Sequence, residues 1–173
     1  LKSEYNPLLM ASKLFIGSFD FHEMQKGYPN IFVGSLALFS FLCYFKEKKI
    51  SLSQRLYALF ITVIILISFN IEMFDQLWHA GQLPNWYSYL FSFLFSFWMV
   101  FLVYQWTRKK TAFGIRGTFV YFFLVLAASI GFILFPQDYL QGWQIALGFG
   151  LSMGILYGLI LIGRGKRTHQ KFL

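Results

Sequence analysis

The side chains with the chemistry to act on a substrate are concentrated between Asn70 and Asn85. Glu72, Asp75 and His79 follow one another at spacings of three and four, among Asn70, Gln76, Gln82 and Asn85 and beside Trp78 and Trp86. A carboxylate such as Asp75 can take a proton from an attacking hydroxyl, His79 can make a polar contact, and the two indoles offer flat faces for stacking. The residue types alone support a plainer reading, because acids and indoles also accumulate in outer loops and at membrane interfaces without any catalytic role.

The elements that carry this stretch are apolar. Of the 173 residues, 57% are hydrophobic, 22% aromatic and only 13% charged, with a mean hydropathy of +0.57. Soluble domains carry roughly a quarter charged residues, so this composition points to an all-α integral membrane protein. Five apolar runs, 30–45, 56–71, 87–106, 117–135 and 145–163, predict about five transmembrane helices. The last three meet the usual need for about 20 residues, whereas the first two are short and would need a thinned bilayer or snorkelling by Lys46 and Arg55. Asn85, just after Pro84, is placed to cap the third helix.

Residues 1–29 alternate apolar and charged positions, with Lys13, Asp20, Glu23 and Lys26 among leucines and phenylalanines. A charge at the bilayer centre costs about 2.5 to 3.5 kcal/mol, so this segment is expected to lie along the outer interface rather than to span. It has no uninterrupted apolar run of the signal-peptide kind. A chain that opens on Leu1 rather than Met is expected to be a piece of a longer polytopic protein. A basic tail at 164–173 follows the last run.

Charge decides the expected orientation. Of the 15 lysines and arginines, all but Lys2, Lys13 and Lys26 fall in the loops after the first and third runs and in the tail, while every acid except Glu47 falls on the opposite face. The positive-inside rule then puts the amino terminus outside, the loop at 72–86 outside and the carboxyl terminus in the cytoplasm. The formal net charge of +8 is therefore directed at anionic lipid headgroups and not at nucleic acid.

Cys43 is the single cysteine, which excludes an intrachain disulfide and a thiolate metal cluster. Small residues recur at spacings of four in Ser88, Ser92 and Ser96 and in Gly150, Gly154 and Gly158. Such stripes predict close helix packing, and the runs hold no ionisable residue that would mark a polar path.

The order of residues adds a resemblance. The text FDQLWHAGQLPNWYSYLFSFLFSF, preceded by IGSFDF and YPNIFVGSLALFSF, resembles the bacterial YfhO family of polytopic membrane proteins over roughly Leu14 to Val103. The resemblance implies part of a glycosyltransferase-C-like helix bundle in the cell membrane of a Gram-positive bacterium. It would move a sugar from a polyprenyl-phosphate carrier to a cell-surface polymer such as lipoteichoic acid. It further implies Asp75, Trp78, His79, Asn85 and Trp86 as substrate contacts, a catalytic acid in a first outer loop that this chain does not contain, and a divalent metal in the complete protein. Leu90 stands where the family text has an arginine, so a bidentate grip on a lipid phosphate is not available at that spot. A transporter or flippase, or a non-catalytic membrane scaffold, is the alternative from a different class.

Overall fold

The computed structural model describes residues 7–21, 23, 28–82, 89, 91–109, 115–136 and 140–169. Among the described residues there are seven α-helices and no strand: α1 (Pro7–Ser12), α2 (Ser35–Tyr44), α3 (Leu52–Ser68), α4 (Glu72–Trp78), α5 (Ser92–Thr107), α6 (Ile115–Leu134) and α7 (Gly142–His169). The five long helices coincide with the five apolar runs. Their ends are set by local chemistry that hydropathy does not see.

Helix α2 starts only after Gly34, whose φ of 86° is open to glycine and costly to other residues. Helix α3 starts earlier than its apolar run because Ser51 and Gln54 form a reciprocal capping box, each side chain accepting the other's backbone N–H. Helix α5 begins at Ser92 rather than near Tyr87, and Asn85 lies outside the described residues. Helix α7 runs on through Arg164, Lys166 and Arg167, so the basic tail is in large part helical. Lysine and arginine are good helix formers, and their charge suits the negative end of the helix macrodipole.

One core joins α2, α3 and α5 around Phe41, Phe69, Phe95, Met99 and Leu102, all at most 7% exposed. A second joins α2, α6 and α7 around Phe39, Tyr121, Val125 and Leu156. Helix α2 is the shared wall, packing on α5 and α7, while α6 and α7 pair with each other. Two polar bonds pin these contacts. Trp98 Nε1 donates to Thr62 Oγ1 at 3.0 Å between α5 and α3, and the Tyr121 hydroxyl donates to the Ser35 carbonyl at 3.1 Å between α6 and α2. In an apolar surround each such bond removes an otherwise unsatisfied group, a net gain of about 1 kcal/mol.

Large apolar side chains also point outward from every long helix, among them Phe60, Phe93, Phe97, Phe119, Phe123, Leu134 and Trp143. Among the described residues one helix, over Gly117–Leu134, is by itself long and apolar enough to cross a membrane, with a hydropathy of 2.2. Helices α2, α3 and α5 are apolar but shorter.

Candidate functional site

The stretch expected to be a polar loop contains a helix. After α3, the Ser68 hydroxyl donates back to Ile64 and the Asn70 amide back to Leu66, both at 2.9 Å, which closes the helix end with side chains. The chain then turns into α4, whose own end is tightly closed. The Gly81 N–H donates to the Gln76 carbonyl at 2.6 Å and the His79 N–H to the same carbonyl at 3.1 Å. Ala80 and Gly81 make this reversal in the left-handed region, with φ of 55° and 85°. Ala80 carries a steric cost of roughly 1 to 2 kcal/mol there.

This closure sets Trp78 and His79 side by side at the tip of α4. The Trp78 ring lies parallel to Phe91 at 5.4 Å and 11°, and Phe91 is also stacked on Phe69 at 4.9 Å and 22°. Phe69 is completely buried and meets Phe95 edge-on at 6.2 Å. A ladder of rings thus rises from the core to an indole that is still 42% exposed. His79 is half-buried beside it.

Positions 72, 75 and 79 follow the helical register i, i+3, i+7 along α4 and its cap. The side chains of Glu72 and Asp75, and the whole of Asn85, Trp86 and Ser88, lie outside the described residues. Among the described residues no group of three histidine, cysteine or acidic side chains could hold a metal ion. They do not by themselves form a metal site.

The two small-residue stripes behave differently. Ser92 is buried, and its Oγ accepts the Asn30 N–H at 3.4 Å, tying the start of α5 to the approach of α2. Ser96 is half-buried further along the same helix. Among the described residues, a Cβ at Gly150, Gly154 or Gly158 would meet nothing within 4 Å, so the glycine stripe is uncovered within this chain. The close approach on α7 lies at Gly148, where a Cβ would come 3.0 Å from the Phe15 ring and 3.8 Å from Ile16.

What Gly148 packs against is the amino-terminal segment, which docks on α6 and α7. Phe15 meets Phe132 of α6 edge-on at 5.5 Å, and Gln144 Nε2 of α7 donates to the Gly17 carbonyl at 2.8 Å. Beneath it, Lys13 and Glu23 form an ion pair at 1% and 3% side-chain exposure. Lys13 Nζ also donates to the Ser18 carbonyl at 2.9 Å and sits 5.5 Å from the centre of the Tyr28 ring. The Glu23 N–H is in turn taken by Asp20 Oδ1 at 2.9 Å. Burying two charges is tolerable only with such complete pairing. The sequence showed Lys13 and Glu23 as charges that forbid a span, and their opposite signs were the available clue that they pair.

The chain has two chemically distinct ends. The docked segment, the end of α6 and the start of α7 meet at one of them. At the other, Lys49 Nζ donates to the Lys109 carbonyl at 3.4 Å and Arg55 Nη1 to the Phe45 carbonyl at 3.2 Å, bringing the loops after α2 and α5 together. The profile of the family described as bacterial membrane protein YfhO matches residues 1–173, the whole length and not only the stretch that carries the motifs. The chain belongs to the YfhO family of bacterial membrane proteins. Comparison with curated proteins and with solved structures found no match. For a YfhO protein the outward apolar side chains have a ready explanation as lipid-facing surface.

Proposed function

We propose that this chain is the membrane scaffold and one wall of the site of a lipid-linked glycosyltransferase, moving sugar from a polyprenyl-phosphate carrier to a cell-surface polymer such as lipoteichoic acid. In this reading the five long helices span, the amino terminus and α4 lie outside, and the carboxyl terminus lies in the cytoplasm. The gathering of the basic loops at the end away from the docked segment supports that orientation. Membership of the YfhO family supports the membrane setting.

The observation that carries the site is the indole of Trp78, backed on one face by Phe91 and 42% exposed. A rigid, half-covered indole is a platform for the apolar face of a sugar ring, held in place by rings that reach the core. His79 beside it would contact a hydroxyl or phosphate oxygen, and Asp75 is the carboxylate of this stretch best suited to receive the acceptor's proton. Asn85 and Trp86 would complete the wall. Transfer of radiolabelled sugar from a polyprenyl-phosphate donor, in membranes carrying the complete protein, tests this. Trp78→Ala and His79→Ala should lose transfer while protein abundance is kept, and full activity in both would remove α4 from the site.

A non-catalytic scaffold is the second reading, and the open faces of Gly150, Gly154 and Gly158 favour it. A helix from elsewhere could approach α7 closely along that stripe. Absence of sugar transfer by the complete wild-type protein, with assembly intact, would decide for it.

A further inference from the structure

At the basic end of the chain, α3 and α5 part to leave a cleft of about 270 Å³. Its inner walls are apolar, formed by Ala58 and Ile61 of α3, Phe101 and Leu102 of α5 and Ile50 of the preceding loop. The inner limit is marked by Trp98, whose bond to Thr62 joins the two helices. Its mouth is polar, where Gln54 in the first turn of α3 faces Gln105 and Lys109 at the end of α5. The cleft is thus graded along its length, from a greasy slot to a cationic rim.

The rim is more basic than its lining shows. Lys49 reaches the Lys109 carbonyl, Arg108 lies over the Tyr104 ring at 5.8 Å, and Lys46 and Lys48 are exposed on the same loop as Lys49. Glu47 is the acid of these two loops, and its Oε1 accepts the Lys49 N–H at 2.9 Å. A surplus of positive charge therefore surrounds the opening. An apolar slot ending in excess cationic charge is complementary to a molecule with a hydrocarbon chain and an anionic head.

We propose that the cleft between α3 and α5 holds one acyl chain of an anionic phospholipid, with its phosphate at Lys49 and Lys109. The chain lies against Ile61 and Phe101 with its far end toward Trp98, and the phosphate takes hydrogen bonds from the two ammonium groups and the amides of Gln54 and Gln105. This goes beyond the sugar-transfer reading and does not depend on it, because the cleft is at the opposite end from Trp78. Occupancy would fill the space between two helices that touch each other lightly, so the lipid would act as a structural wedge. A zwitterionic lipid has the same hydrocarbon but no net charge to match the rim.

The test uses the full chain in nanodiscs of phosphatidylglycerol and phosphatidylcholine in equal amounts, released for native mass spectrometry. Phosphatidylglycerol should be the retained lipid. The double variant Lys49→Gln, Lys109→Gln should lower its retention by about thirtyfold, a factor of about five for each basic group near an anionic headgroup. Ile61→Trp, which fills the slot from a position already 38% exposed, should lower retention of both lipids. Wild-type retention in either variant overturns the proposal, as does displacement of the lipid by excess soluble glycerol phosphate, which would make the rim a free phosphate site. Independently of retention, phosphatidylglycerol brominated on its acyl chain should quench wild-type fluorescence more than that of Trp98→Phe. Equal quenching in the two would also overturn it.

Discussion

Lys13 and Glu23 are ion-paired out of water, at 1% and 3% side-chain exposure, in a segment whose sequence reads as an interfacial stretch. Breaking a buried pair by removing one partner leaves an uncompensated charge, at a cost of about 3 to 5 kcal/mol. Lys13→Met or Glu23→Gln should therefore lower the melting temperature in detergent markedly, and the double variant Lys13→Met, Glu23→Leu should recover much of the loss. With Glu23→Leu alone as the matching single, a double variant as unstable as the sum of Lys13→Met and Glu23→Leu would mean that the pair itself does not couple the two sites.

Packing on α7 gives a second contrast. Gly148→Leu forces bulk into the Phe15 ring and Ile16, whereas Gly154→Leu meets open space. Overpacking costs about 1 to 3 kcal/mol, so the first variant should melt lower than wild type and the second close to it in a monomeric preparation. The reverse order in the same melts would move the packed face back to the glycine stripe.

Orientation can be read chemically. In a background with Cys43 replaced by Ala, Gln82→Cys and Gln141→Cys should react with an impermeant thiol reagent on intact cells, and Thr111→Cys should react only after lysis. Labelling of Thr111→Cys from outside would overturn the arrangement inferred from the basic loops.

At the tip of α4, His79→Ala and Asp75→Asn in the complete protein should cost about a hundredfold in sugar transfer, the usual size for losing one well-placed polar contact to a developing charge. Abundance in the membrane should be kept, so that the loss is read in transfer and not in assembly. Trp78→Ala differs in also uncovering Phe91, so it should lower both transfer and the melting temperature. Normal transfer with a lowered melt would mark Trp78 as packing alone.

The long helices were legible because each is an apolar run, and hydrophobicity needs no knowledge of partners. Their ends were not, because Gly34, the Ser51–Gln54 box and the tight closure after Gln76 act through backbone geometry. Helix α4 was hidden for the same reason: a seven-residue helix among polar residues has too little periodicity to stand out. Trp78 and His79 were picked out by type, but the support of Trp78 by Phe91 and Phe69 needed the fold. The glycine spacing was legible too, but small residues show where close approach is permitted and not which neighbour makes it. The pairing of Lys13 with Glu23 was not legible, because they lie ten positions apart along the chain and only the fold brings them together.

The pairing of α2 with α5 has a consequence for biosynthesis. Among the described residues these two helices share the largest contact, yet α3 and α4 separate them along the chain. A helix is made before any neighbour that follows it in the chain, so Phe41 and Tyr44 of α2 stay uncovered until α5 has been translated. Even the bond from Lys49 to the Lys109 carbonyl spans sixty positions and forms only afterwards. Early in synthesis Lys49 thus lacks this partner, and it ties the two basic loops together only once residue 109 has been made.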